Sequence, residues 1–183
     1  AQIGHGGFEA FGNHSGGISV RALAGDVSLI GGDDGTYNFA QIGHGGAESV
    51  GTMGDDICVT ASGAVLLDSS AAATGSRAYT QIGHGGYAAD GNHVGDINVV
   101  VGYGGAGGVT LLGGIADSSY SQIGHGGINN DGDMSGDINV IAENGDMTLT
   151  GGGARAYAML GHGDGAKTST GTREGGMHIF ASG

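Results

Sequence analysis

One histidine recurs in a fixed setting: "QIGHGG" occupies residues 2–7, 41–46, 81–86 and 122–127, and a divergent copy, "MLGHGD", stands at 159–164. An imidazole can act as a general base, a metal ligand or a hydrogen-bonding group. A catalytic base is needed once. Five copies, His5, His44, His84, His125 and His162, at spacings of 39, 40, 41 and 37 residues, point either to a periodic frame or to a ladder of identical ligands. Nine residues after the first four histidines come His14, Met53, His93 and Met134, and a His/Met column suits copper or another late transition metal. Against this, no repeat has the compact ligand spacing of a zinc site. Calcium is a second cation to weigh, because "NNDGDMSGD" (129–137) and "GGDDGT" (31–36) are dense in oxygen donors. Neither matches the EF-hand spacing or a calcium β-roll repeat, and Asp or Asn beside Gly is first of all a turn signal.

Other chemistry is poorly represented. The chain has no Gly-x-Ser-x-Gly elbow, no phosphate-binding loop and no lone break in the period where an acid, a base and a nucleophile converge. No enzyme activity is therefore expected. With 18 acidic against 5 basic residues and a net charge of −13, phosphate-backbone binding is excluded as a function class, since it needs clustered cations. The single cysteine, Cys58, cannot form an internal disulfide. It reads as a small strand residue at a position otherwise held by Ser or Asn. No stretch approaches the roughly 18 uninterrupted apolar residues of a membrane span, so no membrane insertion is expected of this segment.

The elements that must position the histidines follow from the repeat. Three segments recur in each period. The first ends at the histidine, as in "RAYTQIGH" (77–84); the second reads "GISVRA" (17–22), "DICVTA" (56–61), "DINVVV" (96–101), "DINVIA" (137–142) and "GMHIFA" (176–181); the third reads "DVSLIG" (26–31), "AVLLDS" (64–69), "VTLLGG" (109–114) and "DMTLTG" (146–151). Apolar residues alternate with polar ones, which is the period of a strand with one buried face. Forty-five glycines in 183 residues would penalise helices by about 1 kcal/mol at each interior position. The fold class is thus all-β, a right-handed parallel β-helix of about 40-residue repeats with three strands each. Repeats are set at approximately 1–35, 36–76, 77–116, 117–154 and 155–183, the last divergent. Two smaller coils per repeat stay open as an alternative. The chain starts and stops inside a repeat, as expected for a fragment of a longer array.

The distance from each histidine to the first Ile of the second segment is 13 residues in four successive repeats, His5 to Ile18 through His125 to Ile138. A loop free to drift would not keep its length, so this connection is expected to be ordered. Glycines after the histidine supply positive φ for a sharp turn. In "AQIGH" the alternation puts Ala40, Ile42 and His44 on one side and Phe39, Gln41 and Gly43 on the other. A neutral imidazole there could satisfy a backbone group that the turn leaves unpaired. Gln2, Gln41, Gln81 and Gln122 are expected to form an amide ladder, each bonding the next coil.

Segments such as "FAQIGHGG" (39–46), followed by "GDI-x-V-x-A" and "GDV-x-L-x-GG" patterns, resemble the repeat tracts of bacterial filamentous haemagglutinin and autotransporter-adhesin proteins. The likeness runs over essentially the whole chain and is weakest over 159–183. It implies an exported β-helix, extracellular or at the bacterial cell surface, that forms a stalk or fibre. It also implies a host or matrix surface ligand as partner. Self-association through solenoid ends is expected separately, because an open end is an exposed strand edge that must be capped or paired with another copy. No cofactor is expected on that reading. The alternative is a metal-binding module whose ligands are His5, His14, His44, Met53, His84, His93, His125, Met134 and His162, or whose acidic turns hold calcium.

Overall fold

The structure is a computed structural model that describes residues 1–33, 35–71, 76–163 and 170–183. Asp34 of "GGDDGT", Asp164 of "MLGHGD" and Lys167 lie outside the described residues. Every regular element described is a strand. The first coil comprises β1 (Gln2–Ile3), β2 (His14–Ser15), β3 (Ile18–Ala22) and β4 (Val27–Ile30); the second comprises β5 (Ala40–Ile42), β6 (Met53–Gly54), β7 (Ile57–Ala61) and β8 (Val65–Asp68). The third holds β9 (Thr80–Ile82), β10 (His93–Val94), β11 (Ile97–Val101) and β12 (Val109–Leu112). The fourth holds β13 (Ser121–Ile123), β14 (Met134–Ser135), β15 (Ile138–Ala142) and β16 (Met147–Thr150), and a fifth contributes β17 (Ala158–Leu160), β18 (Arg173–Glu174) and β19 (Met177–Ala181).

Equivalent strands pair in parallel into four sheets, ordered β1-β5-β9-β13-β17, β2-β6-β10-β14-β18, β3-β7-β11-β15-β19 and β4-β8-β12-β16. The register matches Gln2 with Gln41, Gln41 with Gln81, Gln81 with Gln122 and Gln122 with Met159. One repeat is therefore one coil of a β-solenoid, and the two-coil alternative is corrected. So is the count of three strands per repeat, which is four. The extra strand lies inside the invariant 13-residue connection, and two residues are too few to display a period of two. Isolated bridges Gly6–Gly45, Gly45–Gly85, Phe11–Val50 and Val50–Asp90 pair the rest of that connection with its neighbours. An inserted residue would break every one of these rungs, which accounts for the fixed length.

Two apolar clusters fill the coils. The larger draws Ile57, Val59 and Ala61 with their equivalents from the sheet of β3, Val65 and Leu67 from the sheet of β4, and Ala40, Ile42, Ile82 and Ile123 from the sheet of β1. The smaller contains Ala47, Tyr79, Tyr87, Tyr120 and Ile128, with Phe39 and Tyr157 packed against it. Phe39, Tyr79, Tyr120 and Tyr157 immediately precede the strands of the glutamine sheet and point to the face opposite Ala40 and Ile42. The short strands β5, β9 and β13 are consequently buried at every residue. Polar side chains on such strands must find partners inside the protein.

Candidate functional site: the histidine and glutamine columns

The five recurrent histidines form one column. Their rings stack with centroids 5.1, 5.0, 4.8 and 4.9 Å apart and interplanar angles of 0°, 1°, 4° and 10°, which follows the ~4.8 Å rise between paired strands. Both nitrogens of each imidazole from His44 to His162 are engaged. Nδ1 of His44, His84, His125 and His162 accepts the backbone N–H of the histidine one coil earlier, at 2.9, 2.9, 3.0 and 3.0 Å. Nε2 of the same rings lies 2.8, 2.7, 2.8 and 2.9 Å from the carbonyl oxygens of Gly16, Asp55, Gly95 and Gly136. A nitrogen that accepts N–H carries no proton, and one facing a carbonyl must donate. The network thus fixes a neutral Nε2–H tautomer throughout.

Each ring ties the start of the glycine turn to the residue just ahead of the third sheet, and does so across a coil boundary. Burial disfavours the charged form and lowers the pKa of His44 and His162, and takes His84 down to about 4. His125, fully enclosed, lies well below its ordinary value for the same reason, with neighbouring His84 next in effect. A metal ion on this column would have to displace a backbone N–H from Nδ1 or a carbonyl from Nε2–H. Among the described residues, no group of three His, Cys, Asp or Glu side chains is placed to hold a metal ion.

The glutamines work in the opposite direction. Gln41 Nε2 donates to Gly83 O and Gly85 O of the next coil, both at 2.9 Å, and Gln81 repeats this with Gly124 O and Gly126 O at 2.9 and 2.8 Å. Gln2 reaches Gly43 O and Gly45 O, and Gln122 reaches Gly161 O and Gly163 O. Each amide bonds the next coil, and its acceptors there are backbone carbonyls. The reason lies in the glycine turn, which aims two carbonyls per coil at the preceding coil: one of them, such as Gly85 O, also accepts a backbone N–H there, from Gly46 at 2.9 Å, and the glutamine amide reaches both. The fifth coil has Met159 at this rung, so the clamp is not passed on beyond it. Replacing Gln81 with Leu leaves buried carbonyls without this donor and should cost about 1–3 kcal/mol. Gln2→Leu, at a half-buried position, should cost less, and urea unfolding of the two variants measures the difference.

Acidic residues complete the pattern. Asp56 Oδ1 accepts the backbone N–H of Asp96 at 2.9 Å, Asp96 Oδ1 that of Asp137 at 2.8 Å, and Asp137 Oδ1 that of Gly176 at 2.7 Å. In "NNDGDMSGD", Asp131 and Asp133 likewise accept from the backbone and hydroxyl of Thr170 and Thr172. Hydrogen bonds from Thr172 hold the Asp133 carboxyl below its usual range. The oxygens of this stretch are thus directed to successive positions on the following coil.

The second column is ordered His14, Met53, His93, Met134, Arg173 by register. Met53, His93 and Met134 have 0% exposure. It lies beside the imidazole column, since His14 acts on His44 and His84 on His93 electrostatically. A column that the residue-by-residue reading passed over is Phe39, Tyr79, Tyr120 and Tyr157, stacked at 5.0, 5.0 and 4.9 Å. Its signal was available: an aromatic stands five residues before each histidine from His44 onward.

No family model, curated protein or solved structure matches the chain.

Proposed function

We propose that this chain is a non-enzymatic structural and adhesive segment of an exported bacterial surface protein or extracellular fibre, and that its mechanism is mechanical. The observation that carries the reading is the use made of the repeated polar residues. The recurrent imidazoles from His44 to His162, the glutamine amide N–H groups and the turn carboxylates, groups of the kinds that would serve catalysis or ligand binding, bond the backbone of the adjacent coil. A rod is stiffened by such cross-coil bonds, and a surface of net charge −13 keeps it from collapsing onto its neighbours. Adhesion to a host or matrix surface would then belong to the outward residues of the sheets, which vary from coil to coil.

Self-association follows the same rungs. The edge strands β1 and β17 present unpaired backbone groups, and a parallel edge accepts an identical strand from another copy. The 1–183 segment is expected to form end-to-end filaments whose abundance grows with protein concentration in negative-stain electron microscopy and sedimentation. Met159→Gln restores an amide donor at the outer rung and should move association to lower concentration. A strict monomer at high concentration, unchanged by Met159→Gln, would exclude stacking. Export is tested separately, by protease accessibility of the chain on intact cells of its source.

A further inference from the structure

His93 differs from the histidines of the imidazole column. It is 0% exposed, and neither Nδ1 nor Nε2 has a hydrogen-bond partner. The same residue type in the adjacent column has both nitrogens paired in four coils out of five. A neutral imidazole carries one N–H and one lone pair, and burying both without partners incurs the full desolvation cost of each. Methionine at this rung would avoid that cost, and the repeat uses methionine in the coils on either side. A histidine here therefore works against packing unless something meets its lone pair.

The surroundings indicate what would. Met53 and Met134 are its direct register neighbours, so thioether arms with three rotatable bonds flank the ring about 4.8 Å away on either side. A Cβ on Gly45 would lie 2.5 Å from Met53 Sδ, and one on Gly126 would lie 2.6 Å from Met134 Sδ, so the sulphurs sit in slots left by these glycines, one coil to either side of His93, and each thioether would turn toward the ring to share an ion with it. One imidazole and two thioethers are soft, neutral donors, the set preferred by monovalent copper. Divalent zinc would lack any anionic ligand here. Arg173, the cation nearest in register, donates Nη1 to Thr170 O and Gly171 O.

We propose that Met53, His93 and Met134 form a buried site for one Cu(I) ion per chain, loaded as the coils close. The proposal does not depend on the adhesive reading, because a scaffold of any purpose could carry it.

The test uses the 1–183 chain with Cys58→Ser, since the exposed thiol competes for soft metals and Ser is native at that rung in the first coil. Anaerobic competition of refolded protein against bicinchoninate should show one Cu(I) per chain. X-ray absorption should then report one nitrogen and two sulphur neighbours. His93→Leu should weaken binding by about 100-fold, and Met53→Leu with Met134→Leu by at least about tenfold. Apo His93→Leu should melt above its parent, because the unpaired imidazole is gone. The proposal is overturned if the refolded parent takes up no Cu(I), or if uptake persists undiminished in His93→Leu. Should His93→Leu fail to fold, the double Leu variant decides alone, and undiminished binding there overturns the site.

Discussion

Gly83→Ala is expected to destabilise the solenoid by roughly 4 kcal/mol or more, or to prevent folding. Gly83 has φ of 151°, and a Cβ there would overlap Gly124 O, with His125 N also within contact range. Gly4, Gly43 and Gly124 stand in the same relation to Gly43, Gly83 and Gly161. The obstacle is backbone of the next coil at a spacing set by four sheets at once, so it cannot yield as a flexible side chain would. Left-handed backbone adds about 1–2 kcal/mol of strain for a residue with a Cβ. Gly105→Ala is the internal control: nothing lies within 4 Å of its Cβ position, and its effect should stay within about 0.5 kcal/mol. Denaturant unfolding of both variants makes the comparison. Equal effects would mean that glycine is required here for general chain flexibility and not for cross-coil clearance.

The second large effect is acid sensitivity in a pH range where carboxylates do not yet act. Burial holds His84 at about 4, His93 at about 3 and His125 well below an ordinary value of 6.5. In the unfolded chain these residues regain ordinary values. Between the two, the unfolded state binds more protons than the folded state, so stability falls as pH falls. It is complete above about pH 7, starts to drop near the unfolded pKa, and goes on dropping until the folded pKa values are reached. Each residue contributes at most about 1.4 kcal/mol per pH unit, and three together approach roughly 4 kcal/mol per pH unit between about pH 6 and pH 4.5. Protonation also removes the acceptor at Nδ1 and so breaks the bond to the preceding coil. Urea midpoints measured from pH 8 to pH 4 test the slope. A flat profile down to about pH 4.5, with loss only below it, would assign acid unfolding to carboxylates and contradict a buried neutral column.

The sequence makes some of this legible and hides the rest for identifiable reasons. The alternation in "DINV" and "VTLL" announces the two longer strands, and the period of about 40 residues orders them into a solenoid. The strand at His14–Ser15 and its equivalents carries no such signal, because two residues cannot alternate. Glycine after the histidine reads as a turn former. At Gly43 and Gly83, however, the stronger demand comes from a carbonyl about 40 residues away along the chain. "NNDGDMSGD" reads as a dense set of oxygen ligands, yet Asp131, Asp133 and Asp137 each face a different amide of the following coil. A local window cannot show which atoms meet across a coil boundary. The same holds for the glutamines: their spacing shows that they stack, whereas their true acceptors depend on where the turn aims its carbonyls.

The most direct measurement of the central claim, that "QIGHGG" clamps adjacent coils through neutral stacked imidazoles, is long-range ¹H–¹⁵N correlation of the histidine rings in the folded protein from pH 7.5 to pH 5. The account predicts that His44, His84 and His125 each show one protonated nitrogen, Nε2, and one bare nitrogen, Nδ1, and that for His84 and His125 this pattern does not change over the range. Titration of those two rings near pH 6.5, or a proton on Nδ1, would contradict it.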